Sequence, residues 1–261
     1  MKNLTPVKLA DACGAKLIRI VKEDGNIRQI LPEPEISEKE ITGAVIDSRL
    51  VEEGHLFFAT KGERVDGHDF IAKAFAQGAA AAVCEKLPAD TPGTFLLVKD
   101  SFQALKDIAR FYRGQLDVKV VGVTGSVGKT STKEFIASVL AKRYNVLKTE
   151  GNFNNEVGLP LTVLRIRDEH EIAVIEMGIS DFGEMSRLTA IAQPDICVIT
   201  NIGQCHLENL GDRDGVLKAK TEIFEGLKEG GTACLFGEDD KLCTISEVKG
   251  NPPVFFGNTG I

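Results

Sequence analysis

The segment TGSVGKT at residues 124–130 gathers the residue types that hold a polyphosphate. Gly125 and Gly128 let the backbone turn tightly, so that several N–H groups and a helix N-terminus converge on one anion. Lys129 adds a positive charge near the outer phosphates, and the Thr130 hydroxyl suits a magnesium ion. With Thr124, Ser126, Val127 and Ser131 these residues form a candidate nucleotide-binding loop. The strict pattern G-x-x-x-x-G-K-T would need glycine at position 123, where this chain has Val123, so the loop is a variant of the common form. Its flanks support it: the apolar run VKVVGVT precedes it, and a helix expected to place Phe135, Ile136, Val139 and Leu140 on one face follows. The plain alternative is a strand-to-helix turn that happens to contain glycines. It leaves the Lys-Thr pair unexplained.

A nucleotide with magnesium calls for carboxylates, and Glu176 closes the strand-like run IAVIE. A solvated carboxylate at a strand end is the competing reading. His206 follows the run ICVIT and an Asn-Ile-Gly turn, again at a carboxyl end, although a lone histidine is more often structural than a ligand. Lys220 is more informative. On a helix expected over residues 212–227, Val216, Ile223, Phe224 and Leu227 share its face, so this lysine sits on the apolar stripe while Lys218 points elsewhere. Such a lysine ordinarily snorkels to water. If desolvated, it loses its charge and becomes a nucleophile.

The elements that must position these residues are of alternating type. Thr5-Pro6 reads as a helix start and Gly14 as its stop. Strands are expected over residues 41–47, 55–60, the alanine-rich segment up to Cys84, and 94–99. Helices are expected over 70–77 and 102–113, with Gly114 just beyond. From Val118 the alternation lengthens, and the continuous apolar runs at 172–177 and 196–200 suit a parallel sheet covered on both faces. The expected fold is α/β: a small mixed α/β domain over residues 1–115, then a P-loop ATPase-like domain with a mostly parallel sheet over 116–261.

Bulk properties narrow the partners. A net charge of -7 over 261 residues argues against wrapping nucleic acid, which needs clustered Lys and Arg. The six cysteines lack zinc or disulfide spacing, no signal-peptide core opens the chain, and no run reaches membrane-spanning length. The expectation is a cytoplasmic, monomeric protein with no membrane insertion.

Five segments in order, TGSVGKTSTKE, TEGNFNNEVGLPLTVLRI, AVIEMG, ITNIGQCHLENLG and KAKTEIF, together resemble the Mur ligase family of peptide ligases in cell-wall synthesis. The stretch DSRLVEEGHLFFATKGERVDGHDFIAKAFAQGAAAAV is similar to the family's uridine-nucleotide domain. The resemblance implies ATP held by Lys129 and the loop amides, one magnesium ion at Thr130 and Glu176, and a second at His206 and a Lys220 carbamylated by carbon dioxide. It implies that Ser48 and Arg49 contact the uridine diphosphate and that Asn154 and Asn155 lie near substrate and phosphates, although a Ser-Arg pair and an Asn-rich loop also occur as plain turn chemistry. Lys129, His206 and Lys220 are thus the expected catalytic residues. GNFNNEVGLP and KAKTEIF point, within the family, to the member that joins D-Ala-D-Ala to UDP-MurNAc-tripeptide through an acyl phosphate. The sister amino-acid-adding enzyme, a folylpolyglutamate synthase and a non-catalytic nucleotide-binding module are the alternatives. Family members continue into a third domain that receives the amine, so a chain ending at Ile261 is expected to lack it and to be inactive alone.

Overall fold

Thr5 and Pro6 set the first turn. In the computed structural model, which describes residues 4–23 and 26–257, helix α1 (Pro6–Cys13) starts with the Thr5 hydroxyl accepting from the Lys8 N–H and stops at Gly14 in the left-handed conformation. The chain divides into two compact units, Met1–Gly114 and Gln115–Ile261.

In the first unit, strands β1 (Lys16–Glu23), β2 (Asn26–Ile30), β3 (Gly43–Val45), β4 (His55–Phe58), β5 (Ala81–Cys84) and β6 (Gly93–Leu97) form one sheet in the order β2-β1-β6-β5-β4-β3. Strands β3 to β6 run parallel, whereas β1 pairs antiparallel with both β2 and β6. Helices α2 (Pro34–Ser37), α3 (Ile71–Ala76) and α4 (Ser101–Gly114) complete the unit, with α1 packed on α4. Phe57, Ile71, Ala82 and Phe95 are buried together, and Phe75 meets Phe95 edge-on at 5.3 Å.

The hairpin β1–β2 was not anticipated from sequence, because every residue of β2 is exposed and an edge strand without a buried face shows no apolar alternation. The run 41–47 yields only the three residues of β3, and Gly114 is the last residue of α4 rather than the one beyond it. Such one- or two-residue differences are ordinary fraying of element ends.

The second unit runs β7 (Lys119–Thr124), α5 (Lys129–Leu140), β8 (Val146–Lys148), α6 (Gly158–Val163), β9 (Ile172–Glu176), α7 (Glu184–Ala192), β10 (Ile196–Ile199), α8 (Leu207–Leu210), α9 (Arg213–Thr221), β11 (Thr232–Phe236) and β12 (Val254–Phe256). The strand order is β12-β11-β10-β7-β9-β8, and every ladder in it is parallel. Strand β7 lies between β9 and β10, so successive connections leave it in opposite directions. The carboxyl end of β7 is therefore the point where such sheets open a crevice for ligands. The register pairs Val123 with Glu176 and Thr124 with Ile199, which sets three functional segments side by side.

Two expectations about helices need correction. Phe135 and Val139 do not face the sheet: they are 72% and 70% exposed, while Lys133 and Ala137 are buried and Ile136 and Leu140 partly so. The inward stripe is 133, 136, 137, 140, a regular i, i+3, i+4, i+7 pattern whose first position is a lysine, and that lysine hid it. The helix expected over 212–227 ends at Thr221, and residues Glu222–Gly226 continue as a tighter 3-10 turn. Among the described residues no helix is long and apolar enough to cross a membrane.

Candidate functional site

A cleft of about 480 Å³ lies at the carboxyl end of β7. Gly128, Lys129, Thr130 and Ser131 line it from the loop and the start of α5, Glu176 from the end of β9, Asn154 and Asn155 from the loop before α6, and His206 from the loop after β10. Asn152 and Ser180 also line it and were not anticipated.

Residues 124–127 brace this cleft rather than line it. The buried Thr124 hydroxyl donates to the Met177 carbonyl at 2.9 Å. Asn201 Oδ1 accepts from the N–H groups of Ser126 and Val127 at 3.1 and 3.0 Å, Ser126 Oγ accepts from the Gly203 N–H at 2.8 Å, and Thr200 Oγ1 donates to the Val127 carbonyl at 2.7 Å. Gly125 is obligatory here: its φ is 148°, and a Cβ would lie 1.9 Å from Thr200 Oγ1. The loop is thus locked to the segment after β10 by contacts some 75 residues apart in sequence, which no local motif announces. The Val127 side chain is exposed. Lys129 Nζ donates to the Gly125 carbonyl at 2.9 Å, and α5 begins at this lysine with its N-terminus toward the cleft.

Glu176 is 2% exposed. Its Oε1 accepts from Asn154 Nδ2 at 2.8 Å, and its backbone N–H donates to Thr149 Oγ1 at 2.9 Å. Its Oε2 has no hydrogen-bond partner. An unsatisfied buried carboxylate oxygen is costly, and it beckons a cation. The only positive group near it is Lys133 Nζ, at 3.9 Å. Asn154 is buried and its amide also reaches Asn152 Oδ1, so this asparagine positions the carboxylate. Asn155 Oδ1 accepts from the N–H groups of Val157 and Gly158, which is helix capping at the start of α6. Among the described residues no group of three or more His, Cys, Asp or Glu is placed to hold a metal. A cation at Glu176 would draw its other oxygen ligands from a hydroxyl such as that of Thr130, from a phosphate and from water.

His206 holds a left-handed backbone, φ 52°, at the start of α8. The loop that carries it is pinned by Asp239, which accepts from the Ile202 N–H at 2.8 Å, and by Arg213, which donates to the Ile202 carbonyl at 2.9 Å. Lys220 is 1% exposed, between the buried Val216 and Ile223. Burial lowers its pKa to about 8, the charge of Lys129 acts in the same direction, and Cys205 opposes them. Lys220 stands behind the lining residues rather than among them.

Ser48 and Arg49 belong to the first unit, on the turn Ser48–Leu50 capped by Asp47. Ser48 is buried, whereas the exposed Arg49 lays its guanidinium fork on the Asp47 carboxylate and lowers that group's pKa to about 2. The structure does not bring this pair into the cleft of the second unit.

Residues 123–260 match the model described as Mur ligase middle domain, and residues 40–113 match the one described as Mur ligase family, catalytic domain. Among curated proteins, the UDP-N-acetylmuramoyl-tripeptide--D-alanyl-D-alanine ligase of Bacillus subtilis is 44% identical over 83% of this chain and 48% of its own length. That of Escherichia coli is 40% identical over 80% and 46%. Among solved structures, MurF from Acinetobacter baumannii superposes with a TM-score of 0.83 at 35% identity, covering 98% of this chain and 54% of that one. MurF ligase from Thermotoga maritima in complex with ADP gives 0.74 at 40% identity, covering 84% and 51%. The chain spans about half the length of the curated relatives it matches. With a phosphate loop, a buried carboxylate beside it and a family match that takes in both, the chain belongs to the Mur ligase family.

Proposed function

We propose that this chain carries the uridine-nucleotide-binding and ATP-binding parts of a cytoplasmic ligase that joins D-Ala-D-Ala to UDP-MurNAc-tripeptide, with Met1–Gly114 as the first and Gln115–Ile261 as the second. The observation that carries this reading is the juxtaposition, in one cleft, of Lys129, Thr130 and a buried Glu176 with an unsatisfied oxygen. The N-terminus of α5 offers N–H groups and a favourable dipole to the ATP phosphates, and Lys129 adds its charge. Thr130 and Glu176 hold a magnesium ion, and Asn154 keeps the carboxylate turned toward it. Magnesium, when bound, supplies the positive charge that lets an anionic peptide carboxylate approach an anionic triphosphate. The carboxylate is activated as an acyl phosphate, which the dipeptide amine then attacks. Ser48 and Arg49 serve the uridine diphosphate in the first unit.

Lys220 has a second duty in this reading. A buried amine with a lowered pKa is populated in its neutral form, which adds to carbon dioxide; a C–N bond forms, a proton leaves, and a cation becomes a carboxylate-like anion. With His206 it would hold a second magnesium ion. Titration calorimetry tests the reading. A non-hydrolysable ATP analogue is expected to bind in the presence of magnesium, and UDP-MurNAc-tripeptide to bind separately. Failure of either titration removes the corresponding assignment. Phosphate release that depends on a single amino acid in place of D-Ala-D-Ala would identify the sister enzyme instead.

A further inference from the structure

Lys133 stands one turn after Lys129 on α5, yet it is 1% exposed. A lysine so deep in the protein needs a reason, because removing an ammonium from water is unfavourable unless charges and acceptors meet it. Its Nζ donates to the Thr149 carbonyl at 2.7 Å and lies 3.1 Å from the Glu134 carboxylate, which Lys148 also pairs with. Its third neighbour is Glu176 Oε2, at 3.9 Å, within ion-pair reach but beyond a hydrogen bond. The two groups are tied through one residue as well. Thr149 gives its carbonyl to Lys133 and its hydroxyl to the Glu176 N–H.

We propose that Lys133 is a positioning residue for the metal-binding carboxylate: it supplies the fixed counter-charge that a buried Glu176 requires and, by standing off from Oε2, leaves that oxygen open to the cleft. Had the ammonium bonded Oε2 directly, the oxygen would be satisfied and closed to a cation. With no cation at that side, the carboxylate would be a lone buried charge. The arrangement between these extremes keeps Glu176 poised. Asn154 fixes one oxygen, and Lys133 balances the other at a distance. The inference rests on the nucleotide reading of the cleft, and it predicts that Lys133 acts on the nucleotide only through the metal.

The test measures ADP affinity of the whole chain by calorimetry, with magnesium and with a chelator, so that the ratio of the two isolates the metal-dependent part. Lys133→Met removes the charge and keeps the length. Lys133→Gln also keeps an N–H donor for the Thr149 carbonyl, so loss of that hydrogen bond is separated from loss of charge. Both variants are expected to reduce the magnesium-dependent gain in affinity by about tenfold or more, as removing one partner of a buried charge pair does, and to leave chelator-condition affinity within about twofold. In a Glu176→Gln background, Lys133→Met is expected to change the ratio no further. An undiminished magnesium-dependent gain in either folded variant would overturn the proposal, as would an effect of Lys133→Met that persists undiminished in the Glu176→Gln background. If neither single variant folds, the comparison moves to Lys133→Arg, which keeps the charge, and a lost magnesium-dependent gain in it despite a native circular-dichroism spectrum counts against the proposal. Absence of any ADP binding by the unmodified chain would overturn the nucleotide reading, and this inference with it.

Discussion

At the residue scale, the chemistry concentrates in side chains whose surroundings depart from the ordinary. Lys129 is half-buried and bonded only to carbonyls of its own loop, so replacing it opens no core. Lys129→Ala is expected to weaken binding of ATP with magnesium by about tenfold or more, the scale of a charge-assisted hydrogen bond to phosphate. Its melting temperature should stay near that of the parent. Unchanged nucleotide affinity in the folded variant would remove Lys129 from the site. Lys220 makes a different prediction, in metal-free buffer stripped of carbon dioxide. Its pKa falls from 10.5 to about 8 on folding, so between those values the unfolded chain holds more protons than the folded one. Stability contributed by this group therefore rises with pH through that window and is flat on either side. Below pH 8 its buried charge opposes folding, and Lys220→Met is expected to be the more stable protein there. The gap in urea midpoint between the two should close as pH rises toward 10.5. A gap that does not vary with pH would show that Lys220 is not desolvated as the structure has it.

At the element scale, α5 shows how an apolar pattern can mislead. Phe135, Ile136, Val139 and Leu140 are spaced to share one face, yet half of that face is in solvent, because Lys133 takes the first inward position. Phe135→Ser and Val139→Ser are accordingly expected to change unfolding free energy by no more than about 0.5 kcal/mol, as substitutions at exposed positions do. Ala137→Ser, which would put a hydroxyl into the buried stripe beside Val121 and Val174, is expected to cost about 1–3 kcal/mol. Denaturant titration of the three variants settles the orientation of the helix. A larger loss at Phe135 or Val139 than at Ala137 would mean that α5 is rotated from the position described. The element that carries His206 is no less instructive. Asp239 and Arg213 hold Ile202 in place, and Asn201 then holds the loop, so the phosphate loop's shape depends on the strand beside it as well as on its own glycines.

At the scale of the whole molecule, two sheets of opposite character serve the two units. The first mixes parallel and antiparallel strands around a core of large aromatic side chains, and the second is parallel throughout. Phe57 is fully buried among Ile71, Ala82 and Phe95, where truncation leaves a void that its neighbours cannot fill. Phe57→Ala is expected to lower the unfolding free energy of the first unit by about 3–5 kcal/mol. Chemical denaturation followed by circular dichroism measures this, and a loss below about 1 kcal/mol would show that the site collapses or was never closely packed.

Much of this was legible in the chain itself. The phosphate loop, the βα alternation after Val118, the N-cap at Thr5 and the inward lysine at 220 all rest on contacts within a few residues, and local spacing specifies those. The order of motifs also carried the family. What spacing could not supply is everything decided by residues distant in sequence. Asn201 claims two amides of the phosphate loop from 75 positions away, Asn154 turns Glu176 from 22 away, and Lys133 meets that same carboxylate only because β9 lies beside the helix that follows β7. A side chain's type and period tell which way it faces along its own element. Which charge waits for it there is a property of strand order, and only the folded sheet sets strand order.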